Sequence, residues 1–219
     1  MMNPKTFSTR WQQETLPLVA ILRGITPAQA CEAADILLSC GFRWLEVPLN
    51  SPEPYESIRL MRNAVGNQGF VGAGTVLTVE QVARVADCGG QLIISPNCDP
   101  DVIRYSVKCG LISLPGVMTP SEAFSALAAG ASALKLFPAE HVSPVITKAF
   151  RAVIPRDVAC LPVGGIQPDA LQMRSYIQAG ANGFGLGGGL YQAGMSMDLL
   201  CERALAYQQA WRACAESIL

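Results

Sequence analysis

Residues 18–52 read Leu18-Val19-Ala20-Ile21-Leu22-Arg23-Gly24, then Thr26-Pro27 and a stretch running to Gly41, then Trp44-Leu45-Glu46-Val47-Pro48-Leu49 and Ser51-Pro52. The two short apolar, β-rich runs bracket a segment with helical periodicity. Proline after a threonine marks that segment's first turn, and a glycine marks its stop. This is one strand–helix–strand unit, and it recurs along the chain. Further runs stand at Phe70–Ala73, Leu92–Ser95, Ile112–Leu114, Ala133–Phe137, Ala159–Val163 and Gly183–Leu186, with centres roughly 24 residues apart. Asp99-Pro100, Thr119-Pro120, Ser143-Pro144 and Gln167-Pro168 also place proline where a helix begins, and Ser51-Pro52 is read the same way. Gly89, Gly110, Gly130 and Gly180 fall where helices should end. Eight alternations without a linker predict a (β/α)₈ TIM barrel forming a single domain over residues 1–219. The amphipathic stretch Pro4–Thr15 is expected to be an extra N-terminal helix across the bottom. A doubly wound open sheet is the alternative architecture.

Composition narrows the function classes. Half of the 219 residues are apolar and 15% are charged, enough for one large core. Lys plus Arg number 16 against 17 Asp plus Glu, a net charge of −1 that carries no basic footprint for nucleic acid or anionic membrane. The longest uncharged stretch, Ser175–Met197, holds seven glycines, Asn182 and two glutamines, so it reads as a glycine-rich loop and not a membrane span. The eight cysteines form no C-x-x-C pair and, with no signal-peptide pattern, are expected to be reduced, buried thiols of a cytoplasmic protein. The single histidine, His141, rules out a multi-histidine metal site. It is expected in a loop, and no metal is expected.

Barrel chemistry sits at the C-terminal ends of strands, where three charges interrupt apolar runs. In Ala133-Leu134-Lys135-Leu136-Phe137-Pro138 the leucines face one side and Lys135 the other. Glu46 stands between Leu45 and Val47 in the same way, and Arg23 ends the first run. Lys135 could snorkel to solvent, or pair with Glu46 in a structural ion pair. Two cations and an anion on one rim suit instead an anionic ligand. Desolvation and a neighbouring arginine both disfavour protonated lysine, freeing its amine as a nucleophile for Schiff-base chemistry. Glu46 then serves as a proton carrier. Thr75 follows strand 3 and Pro96 follows strand 4. Gly164-Gly165 follows strand 7 and Gly187-Gly188 lies in the run after strand 8, where barrel phosphate sites form. Arg23 would then serve a second anionic group such as a carboxylate.

Several motifs together resemble the 2-keto-3-deoxy-6-phosphogluconate/6-phosphogalactonate aldolase family. They are Ala20-Ile21-Leu22-Arg23-Gly24, Leu45-Glu46-Val47-Pro48-Leu49-Asn50-Ser51-Pro52, Gly72-Ala73-Gly74-Thr75-Val76-Leu77 and Leu134-Lys135-Leu136-Phe137-Pro138, and the likeness spans about Leu16 to Trp211. The resemblance implies a metal-free and cofactor-free class I aldolase, a homotrimer, acting on a phosphorylated keto-deoxy sugar acid. By motif position it implies Lys135 as Schiff-base lysine and Glu46 as acid/base. Arg23 and Thr75 match groups at the substrate carboxylate, and Pro96 and Phe137 match lining residues near the reacting carbons. Pro48-Leu49-Asn50-Ser51 and Val163 resemble the phosphogalactonate branch of the family, which places Asn50 and Val163 among the substrate contacts. The near alternatives are the gluconate epimer and 4-hydroxy-2-oxoglutarate. A phosphosugar isomerase and a non-catalytic phosphosugar-binding barrel are more remote. Where the family usually has serine after the strand 8 glycine, this chain has Gly188, leaving backbone N–H groups to hold phosphate.

Overall fold

A computed structural model describes residues 3–215. Its strands are β1 Leu18–Ile21, β2 Trp44–Pro48, β3 Phe70–Gly74, β4 Leu92–Ile94, β5 Ile112–Leu114, β6 Gly116–Val117, β7 Leu134–Leu136, β8 Cys160–Pro162 and β9 Phe184–Leu186. The helices are α1 Pro4–Trp11, α2 Pro27–Ser39, α3 Pro54–Val65, α4 Val79–Asp87, α5 Pro100–Lys108, α6 Pro120–Ala128, α7 Pro144–Val153, α8 Ala170–Gln178 and α9 Met197–Ala215. The result is an α/β fold with a curled, all-parallel sheet.

Six strands pair in the order β5-β4-β3-β2-β1-β9, and β6-β7-β8 form a second sheet. The order marches without reversal, and the last strand lies beside the first. A doubly wound sheet reverses its order at a switch point, so that alternative is overturned. Pro115, which lacks an N–H, separates β5 from β6, and its carbonyl accepts from Lys135 N at 3.0 Å. On the other flank Val163 bridges Gly185 in parallel, and Asn182 N donates to Cys160 O at 2.9 Å.

The two-residue period sorts every strand. Leu134 and Leu136 join the helix-covered cluster with Phe150 and Ala123, while Lys135 points to the concave face. Burying each such leucine contributes about 2 kcal/mol. Leu45 and Val47 likewise join a helix-covered cluster, leaving Glu46 inward. The inward cluster holds Val19, Trp44, Leu92, Ile94 and Leu161 together with Phe7 and Trp11 of α1. Asn3 caps α1, its side chain accepting from Thr6 N at 3.0 Å. Trp11 lies 5.1 Å from Trp44, and Trp44 4.3 Å from Phe70, between ring centroids. This aromatic layer closes the N-terminal end of the sheet. The expected extra helix is present but ends at Trp11, short of Thr15.

Most start and stop signals behave as read. Thr119 and Glu122 form a full capping box on α6, and Gly41, Gly89, Gly110, Gly130 and Gly180 all take positive φ after helices. Two starts differ. Ser51-Pro52 opens no helix, because α3 begins at Pro54, and the Ser51 hydroxyl accepts from Gly24 N at 2.9 Å. Gln167-Pro168 also opens none, since Asp169 caps α8 by accepting from Leu171 N. The eight cysteines are free, but not uniformly buried: Cys40, Cys160 and Cys214 are, whereas Cys31 on α2 and Cys109 just after α5 are exposed. Among the described residues, no helix is long and apolar enough to cross a membrane.

Candidate active site

Lys135 reaches the concave face because two leucines on its strand claim the helix side. It is 6% exposed, and Glu46 is 1% exposed. Both border a small void of about 10 Å³ walled by Val19, Ile21, Ile94 and Leu161. Burial pushes the Lys135 ammonium below the ordinary lysine range; Arg23 adds to that shift and Glu46 opposes it. Burial pushes the Glu46 carboxyl above the ordinary range, against the pull of Lys135 and Arg23. Desolvation is the largest influence at both groups, and it disfavours the charged form of each. The ion pairs closed within 4.0 Å among the described residues are Arg10–Glu14, Arg59–Glu56 and Arg104–Asp101, so the structural Lys135–Glu46 pair is not formed. Glu46 Oε2 is buried and makes no hydrogen bond to another protein group among the described residues.

Glycine makes room for that carboxyl. A Cβ on Gly74 would stand 1.5 Å from Glu46 Oε1 and 2.3 Å from its carboxyl carbon. Gly74→Ala must therefore push the carboxyl out of its notch. Its expected effect is a fall in kcat of about 10²-fold, read by steady-state kinetics on a variant whose melting curve stays cooperative. Unchanged turnover would show that the notch does not locate the acid.

Above the void opens a cavity of about 460 Å³. Arg23, Thr75, Pro96, Lys135, Phe137 and Val163 line it, and so do Gly164, Gly165, Gly187 and Gly188. Lys135 Nζ lies 4.7 Å from the centroid of the Phe137 ring. Thr75 takes φ +56°, unusual for a branched residue, and Gly164 and Gly165 take φ +109° and +63°. A Cβ on Gly187 or Gly188 would meet nothing within 4 Å, so that turn presents bare backbone to open space, whereas a Cβ on Gly164 or Gly165 would crowd the Glu140 side chain at 2.4 and 2.9 Å.

The structure thus brings ten of the expected residues to one cleft and places two differently. Glu46 lies beneath the cleft, reached through the void that Lys135 shares. Asn50 is exposed and outside the lining; its Oδ1 accepts from Arg23 Nη1 at 2.5 Å. It therefore aims Arg23, an exposed side chain with many rotamers to lose. His141 is exposed, as expected for a loop. Sequence reading missed Gln167, Tyr191, Gln192 and Ala193, which turns carry to the rim. No strand alternation marks them, and the helix-start signal read at Gln167 pointed to a cap and not to the cleft. Among the described residues, no three His, Cys, Asp or Glu side chains group so as to hold a metal.

A family model described as KDPG and KHG aldolase matches residues 11–198. A protein with this fold and this pattern is an aldolase, a carbon–carbon lyase. The chain belongs to the KDPG and KHG aldolase family. Among its relatives, the 2-dehydro-3-deoxy-6-phosphogalactonate aldolase of Escherichia coli K12 is 45% identical over 203 residues, 93% of this chain and 98% of that protein. A probable enzyme of the same name from Rhizobium meliloti is 45% identical over 197 residues, 90% of this chain and 92% of its own. A solved structure described as native KDPGal superposes with a TM-score of 0.90 at 44% identity, covering 93% of this chain and 98% of that one.

Proposed function

We propose that this chain is a class I aldolase cleaving 2-dehydro-3-deoxy-6-phosphogalactonate to pyruvate and D-glyceraldehyde 3-phosphate through a Schiff base on Lys135. The observation that carries the reading is the desolvated Lys135–Glu46 pair at the floor of a glycine-rimmed cleft. The names of the two 45% identical relatives support the choice of epimer.

The proton accounts close for a cycle that starts from a free Lys135 amine and a protonated Glu46. The neutral amine of Lys135 attacks the C2 carbonyl to give a carbinolamine. Glu46, as the acid, protonates the departing hydroxyl, which leaves as water. An iminium remains, and the carboxylate beside it is now stabilised by that charge. Glu46 takes the proton of the C4 hydroxyl as the C3–C4 pair flows into the iminium, releasing the aldehyde and leaving an enamine. It returns that proton to C3, then deprotonates the water that attacks the new iminium. Collapse frees pyruvate, the amine and the neutral acid. The scheme uses no metal or cofactor. Arg23 and Thr75 are assigned to the C1 carboxylate, Pro96 and Phe137 to the walls beside the reacting carbons, and Val163 to the C4 side. The N–H groups of the Gly164-Gly165 and Gly187-Gly188 turns are assigned to the phosphate.

The test is turnover of the two phosphorylated C4 epimers side by side. The galactonate epimer is expected to be cleaved with the higher kcat/KM. A clear preference for the gluconate epimer or for 4-hydroxy-2-oxoglutarate would move the assignment within the family.

We read residues 1–219 as one domain and the two sheets as one closed (β/α)₈ barrel. Supporting this are the Val163–Gly185 bridge on one flank and the Lys135–Pro115 and Ser132–Ser113 main-chain bonds on the other. An experimental structure with either flank unpaired would overturn closure. A homotrimer is proposed from exposed apolar side chains, with Val145 80%, Val153 53% and Phe124 47% exposed. Sedimentation as a monomer at micromolar concentration would remove it. The free cysteines suit a reducing cytoplasmic setting.

A further inference from the structure

We propose that Arg203 and Tyr207, one turn apart on α9, are positioning residues that brace the two glycine turns from behind into one anion cradle. The inference rests on the phosphate assignment made above and deepens it. Tyr207 is fully buried, and its hydroxyl donates to Ile166 O at 2.7 Å, in the turn after β8. The same hydroxyl lies 2.2 Å from where a Cβ of Gly189 would stand, in the turn after β9. One phenol therefore touches both turns. Arg203 Nη1 donates to Gly188 O at 3.3 Å, and Gln192 Nε2 donates to the same oxygen at 3.2 Å. On the first turn, Gln172 Nε2 donates to Gly165 O at 3.0 Å.

These braces fix peptide planes. In a planar trans peptide the C=O and the following N–H point in opposite directions. Holding Gly188 O toward Arg203 turns the Gly189 N–H away from α9, and holding Gly165 O toward Gln172 turns the Ile166 N–H away from α8. Neither N–H has a hydrogen-bond partner among the described residues, and both residues line the cleft. The cradle contains no cationic side chain of its own. The Arg203 guanidinium behind the Gly188 carbonyl supplies positive potential through the peptide it polarises. The Glu140 carboxylate, whose Oε2 lies 2.4 Å from a would-be Gly164 Cβ, does not line the cleft.

Tyr207→Phe removes only the hydroxyl, and Arg203→Met removes the donor and its charge. Each is expected to weaken binding of inorganic phosphate, measured calorimetrically, by about fivefold. Each should raise the KM for D-glyceraldehyde 3-phosphate in condensation with pyruvate by a similar factor. Condensation with unphosphorylated glyceraldehyde should keep its kcat/KM within about twofold, and Arg203→Lys should recover part of the phosphate affinity. Should Tyr207→Phe fail to fold, Arg203→Met carries the test alone. Equal losses with both aldehydes, or phosphate binding unmoved in the variants, would overturn the brace. A protein that condenses neither aldehyde yet binds phosphate more tightly than its variants would sink the aldolase reading and leave the brace standing.

Discussion

Lys135→Ala is expected to lower kcat by about 10⁴-fold or more and to leave the protein unmodified by pyruvate and borohydride. The wild-type chain should carry a single pyruvate-derived group at Lys135 after the same treatment, located by peptide mass mapping. The size of the effect follows from the chemistry: without the amine there is no iminium, and nothing else in the cleft can accept the C3–C4 electron pair. The pH dependence has a definite sign. Attack needs the free amine, and the folded site holds Lys135 below the ordinary lysine range. Trapping should therefore persist to lower pH than an exposed lysine would allow, and fail as pH falls through the folded value. An intact, unlabelled wild-type protein, or a Lys135→Ala variant that still turns over, would end the Schiff-base reading.

Glu46→Gln carries the second largest expected loss, about 10²- to 10⁴-fold in kcat, with the covalent adduct still formed. Glutamine has nearly the same shape and fits the notch that Gly74 leaves. What disappears is the capacity to give and take a proton. The substitution also removes the anionic form that favours a charged Lys135. The acidic limb of the trapping profile should therefore move to lower pH, the opposite of what loss of a general solvating group would do. A variant with full turnover would reduce Glu46 to a structural role.

The fold was legible because each strand states its facing in its own residues. Lys135 between two leucines and Glu46 between a leucine and a valine could point only one way once helices covered the other face. Capping was legible where hydroxyl or carboxylate, proline and distance agreed, as at Thr119 with Glu122. It misled at Ser51, whose hydroxyl a neighbouring loop claims, and at Gln167, where Asp169 two residues on is the stronger cap. The site divides along the same line. Residues on strands and in the glycine turns directly after them were found; Gln167, Tyr191, Gln192 and Ala193, farther along the loops, were not. Asn50 looked like a ligand group, yet its acceptor faces Arg23, a partner 27 positions away. No motif in the sequence singles out Arg203 or Tyr207, and only the folded turns give their polar tips something to hold.

The aromatic layer of Phe7, Trp11, Trp44 and Phe70 makes the reaction chamber a cul-de-sac. With the far end sealed, everything must come and go through one mouth. In the proposed Schiff-base cycle the three-carbon fragment tethered to Lys135 lies at the dead end, with the phosphorylated half between it and the exit. Departure is therefore ordered: the aldehyde leaves first, and pyruvate follows once its tether is hydrolysed.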